Sequence, residues 1–203
     1  MTTASSDKTI LQLLQEDQPL IQDERRLAGS IVIRGDPFLA IGFDHGNDAA
    51  KVAILNAKSK LITLRIPTAY QTAQLVRGGT GIIGYQVNGG PAFWIGDAAI
   101  QNDGDALPIG STAQRLSDLR QREFNMAALV ETLVAAGYSP GTYRIALGFA
   151  IPNDEIVPQR GGKRDERLGV AEETQAALKE WVKNQRAQIV RTDLDNRSTN
   201  WTL

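Results

Sequence analysis

Phe38-Leu39-Ala40-Ile41-Gly42-Phe43-Asp44-His45-Gly46-Asn47-Asp48-Ala49-Ala50-Lys51-Val52-Ala53-Ile54-Leu55 consists of two apolar runs joined by a polar turn. The runs read as neighbouring strands of a buried sheet, so the turn sets one carboxylate, Asp44, at a strand end beside exposed backbone N–H groups. The N–H groups of Gly46, Asn47 and Asp48 can form an anion-binding concavity, and glycine lets the main chain approach a ligand without a Cβ clash. Lys51 is a point charge able to reach a phosphate. Asp44 suits Mg²⁺, held largely through water because that ion keeps much of its hydration shell. An ordinary hairpin turn with an outward strand lysine uses the same residue types, and the turn alone leaves both readings open.

Outward from this stretch the pattern stays strand-like. Ile31 to Ile33, Leu39 to Asp44, Lys51 to Leu55 and Lys60 to Ile66 are apolar or β-branched runs separated by Gly, Asp, Pro and Lys-Ser punctuation, which predicts a meander of antiparallel strands. Arg77-Gly78-Gly79-Thr80-Gly81-Ile82-Ile83-Gly84 is glycine-rich but lacks the Gly-Lys-Ser/Thr and following helix of a P-loop, so it reads as a loop or bulged strand entry. Asn88-Gly89-Gly90 tolerates positive φ and predicts a hairpin turn into Ala92 to Ile95. Residues 102–122 read as polar and irregular, with Arg115 to Arg122 as a solvated helical face. Met126, Ala127, Val130, Leu133 and Val134 recur at helical spacing, which predicts a core helix over Glu123 to Ala136, ended by Gly137. A strand over Thr142 to Ala150 follows. Arg160 to Asp165 reads as a linker, Glu172 to Gln185 as a helix, and Ala187 to Thr192 as a strand turning through Asp193 to Arg197 into Ser198 to Leu203. Residues 1–29 form a polar extension with Ile10, Leu13 and Leu14 at helical spacing.

Composition bounds the function. The chain has 203 residues, 42% of them hydrophobic, enough for a real core. Its 22 Lys plus Arg against 23 Asp plus Glu give a formal net charge of -1, so no overall field draws it onto DNA or an acidic membrane. Direct strong nucleic-acid binding is therefore not expected. The sequence has no Cys, which excludes disulfides, thiolate catalysis and cysteine metal sites. No apolar run approaches the roughly 18 to 20 residues of a membrane span, and Met1-Thr2-Thr3-Ala4-Ser5-Ser6-Asp7 is not a signal sequence. A soluble, cytoplasmic protein is the expectation.

Four segments, in order, resemble the actin-like ATPases, most closely the plasmid-segregation actins of the ParM type. Asp44-x-Gly46-x-x-x-x-Lys51 resembles the family's first phosphate loop. Ile66-Pro67-Thr68-Ala69-Tyr70 is similar to its apolar-Pro-Ser/Thr element, Phe93-Trp94-Ile95-Gly96-Asp97-Ala98-Ala99 to its Val-Gly-Glu-Ala hairpin exit, and Arg144 to Glu155 to its strand ending in Leu-Pro. The resemblance implies an α/β fold: an actin-like ATPase lobe, ribonuclease-H-like, with a mixed sheet and flanking helices. It implies an N-terminal extension over 1–29, a first lobe over 30–155, and a crossover with the start of a second lobe over 156–203. The second phosphate loop and the Gly-Gly adenosine contact of the family do not occur, so the second lobe is expected to be largely missing.

The resemblance further implies ATP and Mg²⁺ as cofactors, with Asp44, Gly46, Asn47, Asp48 and Lys51 at the phosphates and Asp44 at the metal. Glu155, three residues after Pro152, matches the glutamate that orients the attacking water, and Asp154 takes that role if the register slips by one. The same acidic pair could simply start a helix capped by Asn153. His45, the only histidine, has a suitable ordinary pKa near 6.5, but its position is variable in the resembled motif and hydrolysis there does not use histidine. The family polymerises into filaments and reaches DNA through an adaptor protein, without membrane attachment. Two rival readings keep a related fold: a metal-dependent nuclease in which Asp44, Glu131 and Asp154 converge, and an interaction module without catalysis.

Overall fold

The computed structural model describes residues 38–72, 82–108, 111–150, 173–181, 186–195 and 197–203. Along the chain these form β1 (Leu39–His45), β2 (Ala49–Leu55), β3 (Leu61–Pro67), β4 (Ala69–Thr72), β5 (Gly84–Val87), β6 (Phe93–Ile95), α1 (Gly96–Ile100), β7 (Asp105–Ala106), α2 (Thr112–Ser117), α3 (Leu119–Ala135) and β8 (Ile145–Ala150). A helix, α4, covers residues 173–181, followed by β9 (Gln188–Thr192) and β10 (Ser198–Thr202). The 1–29 extension, the strand expected at Ile31 to Ile33, the glycine-rich Arg77 to Gly81, the Arg160 to Asp165 linker, and Asp154 and Glu155 lie outside the described residues.

The first sheet has the order β3-β2-β1-β8. The β1–β2–β3 meander is antiparallel, as the alternation predicts, while β8 adds to β1 in parallel. Ile41, Phe43 and His45 of β1 and Ala50, Val52 and Ile54 of β2 are buried on one face, because successive strand residues point to opposite sides. Ala40, Gly42 and Asp44 take the other face. The second sheet has the order β10-β9-β5-β6-β4-β7 and pairs antiparallel throughout. Asn88 and Gly89 both have positive φ, 50° and 71°, in the tight turn between β5 and β6, which is the conformation that such hairpin turns demand.

Helix α3 packs on β2 and β3 of one sheet and on β5 and β9 of the other. Its Phe124, Val130 and Leu133 are fully buried in the common core. It begins at Leu119, four residues before the expected start, because the Asp118 carboxylate accepts the Gln121 N–H at 2.9 Å, an N-cap bond. It ends where Gly137 adopts φ 81°. There the Tyr138 N–H donates to the Leu133 carbonyl and the Gly137 N–H to that of Val134, the two bonds of a Schellman stop.

Residues 102–122 are a correction to the sequence reading. They hold β7, α2 and the first turn of α3 rather than an irregular stretch. A reciprocal capping box starts α2, with the Gln114 N–H donating to the Ser111 hydroxyl and the Ser111 N–H to the Gln114 side chain. The β9–β10 hairpin joins the second sheet by pairing with β5. Arg191 on β9 donates to Glu131 of α3 at 2.5 Å, and Tyr85 of β5 donates to the same carboxylate at 2.6 Å. No described helix is long and apolar enough to cross a membrane.

Candidate functional site

Gly46, Asn47 and Asp48 connect β1 to β2, and their main chain is held from two sides. The Thr68 N–H donates to the Asp48 carbonyl at 3.0 Å, and the Thr68 hydroxyl donates to the Gly46 carbonyl at 3.1 Å. From the other side Arg115 of α2 donates through Nη1 to the His45 carbonyl at 2.5 Å and through Nη2 to Oδ1 of Asn47. Arg115 and Thr68 are both buried. Their donors occupy the acceptors of the turn, while the N–H groups of Gly46, Asn47 and Asp48 find no acceptor among the described residues. The turn therefore keeps three main-chain donors unclaimed by the described residues, the polarity that an anion requires. Gly46 is obligatory there, since a Cβ would lie 2.8 Å from the Ala49 carbonyl oxygen.

Asp44 and Lys51 are cross-strand partners, and Nζ of Lys51 donates to the Asp44 carboxylate at 3.4 Å. Both side chains are well exposed, at 45% and 66%, so the pair contributes little to stability and both groups stay accessible to a ligand. One half-exposed carboxylate beside donor-rich main chain fits Mg²⁺, which takes one or two carboxylates together with water and phosphate oxygens. The sequence reading brought Asp44, Gly46, Asn47, Asp48 and Lys51 together, and the structure assembles them around this turn.

His45 points the other way, into the core. It stacks on Phe124 at 5.5 Å between ring centroids and meets the edge of Phe43 at 6.1 Å. Neither ring nitrogen has a hydrogen-bond partner among the described residues. Burial pushes its pKa down to about 4, the Arg115 charge adds to this, and Asp44 opposes it. The imidazole is neutral at pH 7 and lies on the opposite face of the sheet from Asp44.

Strand β8 ends beside the turn, because Asp44 is in register with Ala150 and the two strands run parallel. The two strands end at one sheet edge, the place where open α/β sheets collect ligands. Asp154 and Glu155, which follow Ala150, are outside the described residues.

The nuclease arrangement is corrected by Glu131. Its carboxylate is taken by Tyr85 and Arg191, and α3 covers the face of the first sheet that Asp44 does not occupy. Among the described residues no group of three or more His, Cys, Asp or Glu could hold a metal. A cavity of about 470 Å³, lined by Met126, Leu129, Ile145, Leu147 and Trp181 among others, lies on the core side and away from the turn.

Two contributors escaped the sequence reading. Arg115, expected on a solvated face, is buried and clamps the turn. Its signal is the spacing of Thr112, Arg115 and Leu116, one inward stripe after the Ser111 cap. Thr68 was read only as part of a family-like segment, and the structure gives it the bracing role. That segment packs on a second one: Tyr70 pairs with Ile95, and Gly96, at φ 61°, leaves its missing Cβ 3.0 Å from Ile66.

No protein-family model matches the chain, and no curated protein matches it significantly. Solved structures do. ParM of Bacillus thuringiensis with ATP aligns at a TM-score of 0.52 and 16% identity, over 82% of this chain and 42% of its own. The same ParM is matched with AMPPNP and with ADP. Ta0583, an archaeal actin homolog, aligns at 0.51 and 20% identity over 82% of this chain and 44% of its own. AlfA from B. subtilis plasmid pLS32, in a filament structure, aligns at 0.50 and 12% identity over 81% of this chain and 52% of its own. The chain thus spans roughly two fifths to one half of the length of the structures it resembles. At these identities the likeness establishes architecture: the chain has the actin-like ATPase fold, a mixed α/β arrangement shared with ParM.

Proposed function

We propose that this chain is the phosphate-binding part of an actin-like nucleotide-binding protein that, as a whole protein, hydrolyses Mg-ATP and polymerises. The observation that carries the reading is the β1–β2 turn. Its acceptors are bound by Thr68 and Arg115, its three N–H donors have no acceptor among the described residues, and Asp44 and Lys51 stand exposed beside it. Gly46, Asn47 and Asp48 would donate main-chain N–H bonds to phosphate oxygens, Lys51 would supply a positive charge, and Asp44 would hold Mg²⁺. The metal, when bound, neutralises phosphate charge. Glu155 then orients the attacking water and accepts its proton, with Asp154 as the alternative in that role. The similar structures, ParM with ATP, AMPPNP and ADP and AlfA as a filament, support the choice of ligand and of self-association. Filaments that move plasmid DNA through an adaptor protein, in the cytoplasm, follow as the cellular role.

Calorimetry with Mg-ATP and a phosphate-release assay test this. Asp44→Ala is expected to remove Mg²⁺-dependent ATP binding. Glu155→Ala is expected to keep binding while losing turnover, because a residue that positions water acts in the transition state. Asp154→Ala checks the register. Unchanged binding in Asp44→Ala would return the turn to a purely structural hairpin.

A further inference from the structure

The sheet register places Asp44 opposite Lys51 and Lys51 opposite Arg65. Directly opposed residues share a face, so the three side chains form one row across β1, β2 and β3 on the face turned away from α3. Lys51 and Arg65 are exposed. Lys51 pairs with Asp44, and Arg65 has no ion pair among the described residues. Like charges directly opposite on neighbouring strands destabilise a sheet, so this face carries an unfavourable contact that an anion would relieve.

The described residues around it leave the row open. Gly42 and Gly148 are paired beside it on β1 and β8, yet packing does not require glycine at either place. A Cβ on Gly42 would meet nothing nearer than Ala53 at 4.0 Å, and one on Gly148 nothing nearer than the Ile41 carbonyl at 3.8 Å. Neither has a positive φ. A ligand can therefore lie flat against the sheet next to the charged row.

We propose that Arg65 is a second phosphate-binding cation, which together with Lys51 engages the β- and γ-phosphates of a magnesium nucleotide while Asp44 faces the metal. This rests on the phosphate reading of the turn and adds a residue outside the motifs that suggested it. The order of charge, one carboxylate then two cations, matches a metal-capped polyphosphate. Arginine suits the outer place because its planar fork can bond two phosphate oxygens at once.

Titration calorimetry on the 203-residue chain with Mg-ATP, Mg-ADP and AMP tests the proposal, using wild type, Arg65→Gln, Arg65→Lys and Lys51→Gln. Arg65→Gln is expected to weaken Mg-ATP binding about tenfold, the loss of one charge-assisted contact. AMP affinity should change by less than about twofold, since the added contact is to the outer phosphates. Arg65→Lys should recover part of the loss. The thermal midpoint of Arg65→Gln should not fall, because removing the repulsion costs the fold nothing. If Arg65→Gln binds Mg-ATP like wild type while Lys51→Gln loses it, Arg65 is no ligand and the phosphate reading stands. If wild type fails to bind Mg-ATP, or if both variants match a binding wild type, the phosphate reading itself falls and takes Arg65 with it.

Discussion

His45 is the residue at which the site and the core meet. Its neighbour Asp44 is half-exposed, whereas the imidazole is sealed between Phe43 and Phe124 with both nitrogens unpartnered among the described residues. A buried neutral histidine with a folded pKa of about 4, against 6.5 as a free side chain, binds protons less readily than the unfolded chain does. Stability is then full above pH 6.5 and falls with pH until about 4, below which the histidine contributes no further change. The expected loss is about 3 kcal/mol, read as the difference between wild type and His45→Leu in urea unfolding from pH 7.5 to 4.5. The charged groups acting on the ring are Arg115 and Asp44, and the wild-type minus His45→Leu difference isolates the contribution of the ring. A pH-independent difference would mean that water or rearrangement relieves the ring.

At the level of elements, the turn is shaped by a strand, a helix and a connector that are far apart in sequence. Arg115 ties α2 to it, and Thr68, between β3 and β4, ties in both sheets. Arg115→Ala removes bonds from a buried cation to a carbonyl and an amide, and should cost about 2–4 kcal/mol in urea unfolding. Arg115→Lys should rescue little, because a point charge cannot span both acceptors in one plane. Near-wild-type stability in Arg115→Lys would show that charge alone suffices. The same elements mark what the sequence made readable. The β1–β2–β3 meander, the Asn88-Gly89 turn and the Gly137 helix stop were legible because alternation, positive φ and helix termination are local properties. The Arg115 and Thr68 contacts were not, since a side chain reaching a carbonyl tens of residues away leaves no periodic trace. Arg115 also sits in a run of charges whose composition resembles a solvated face.

For the whole molecule, α3 is the shared wall of both sheets, and the Tyr85–Glu131–Arg191 cluster fastens the β9–β10 hairpin to it. The Glu131 and Arg191 side chains are largely buried, at 20% and 12% exposure. Arg191→Met alone should cost about 2–4 kcal/mol by stranding a carboxylate, while adding Glu131→Met should restore much of it. A double-mutant cycle by denaturation measures this, and additive losses would show that the pair is not coupled. The actin-like architecture was readable from four ordered segments, whereas the insertion of β9 beside β5 was not, because pairing between distant strands is written in no single stretch. The parallel pairing of β1 with β8 brings a consequence in time. Leu39 and Ile145 are more than a hundred residues apart, and contacts of such separation form slowly because a long loop must close first. During synthesis the β1–β2 turn can be made early, but the sheet edge beside it stays bare until β8 emerges. That edge is an open template for another nascent chain, so the newborn protein is most vulnerable to misassembly just before β8 closes the sheet.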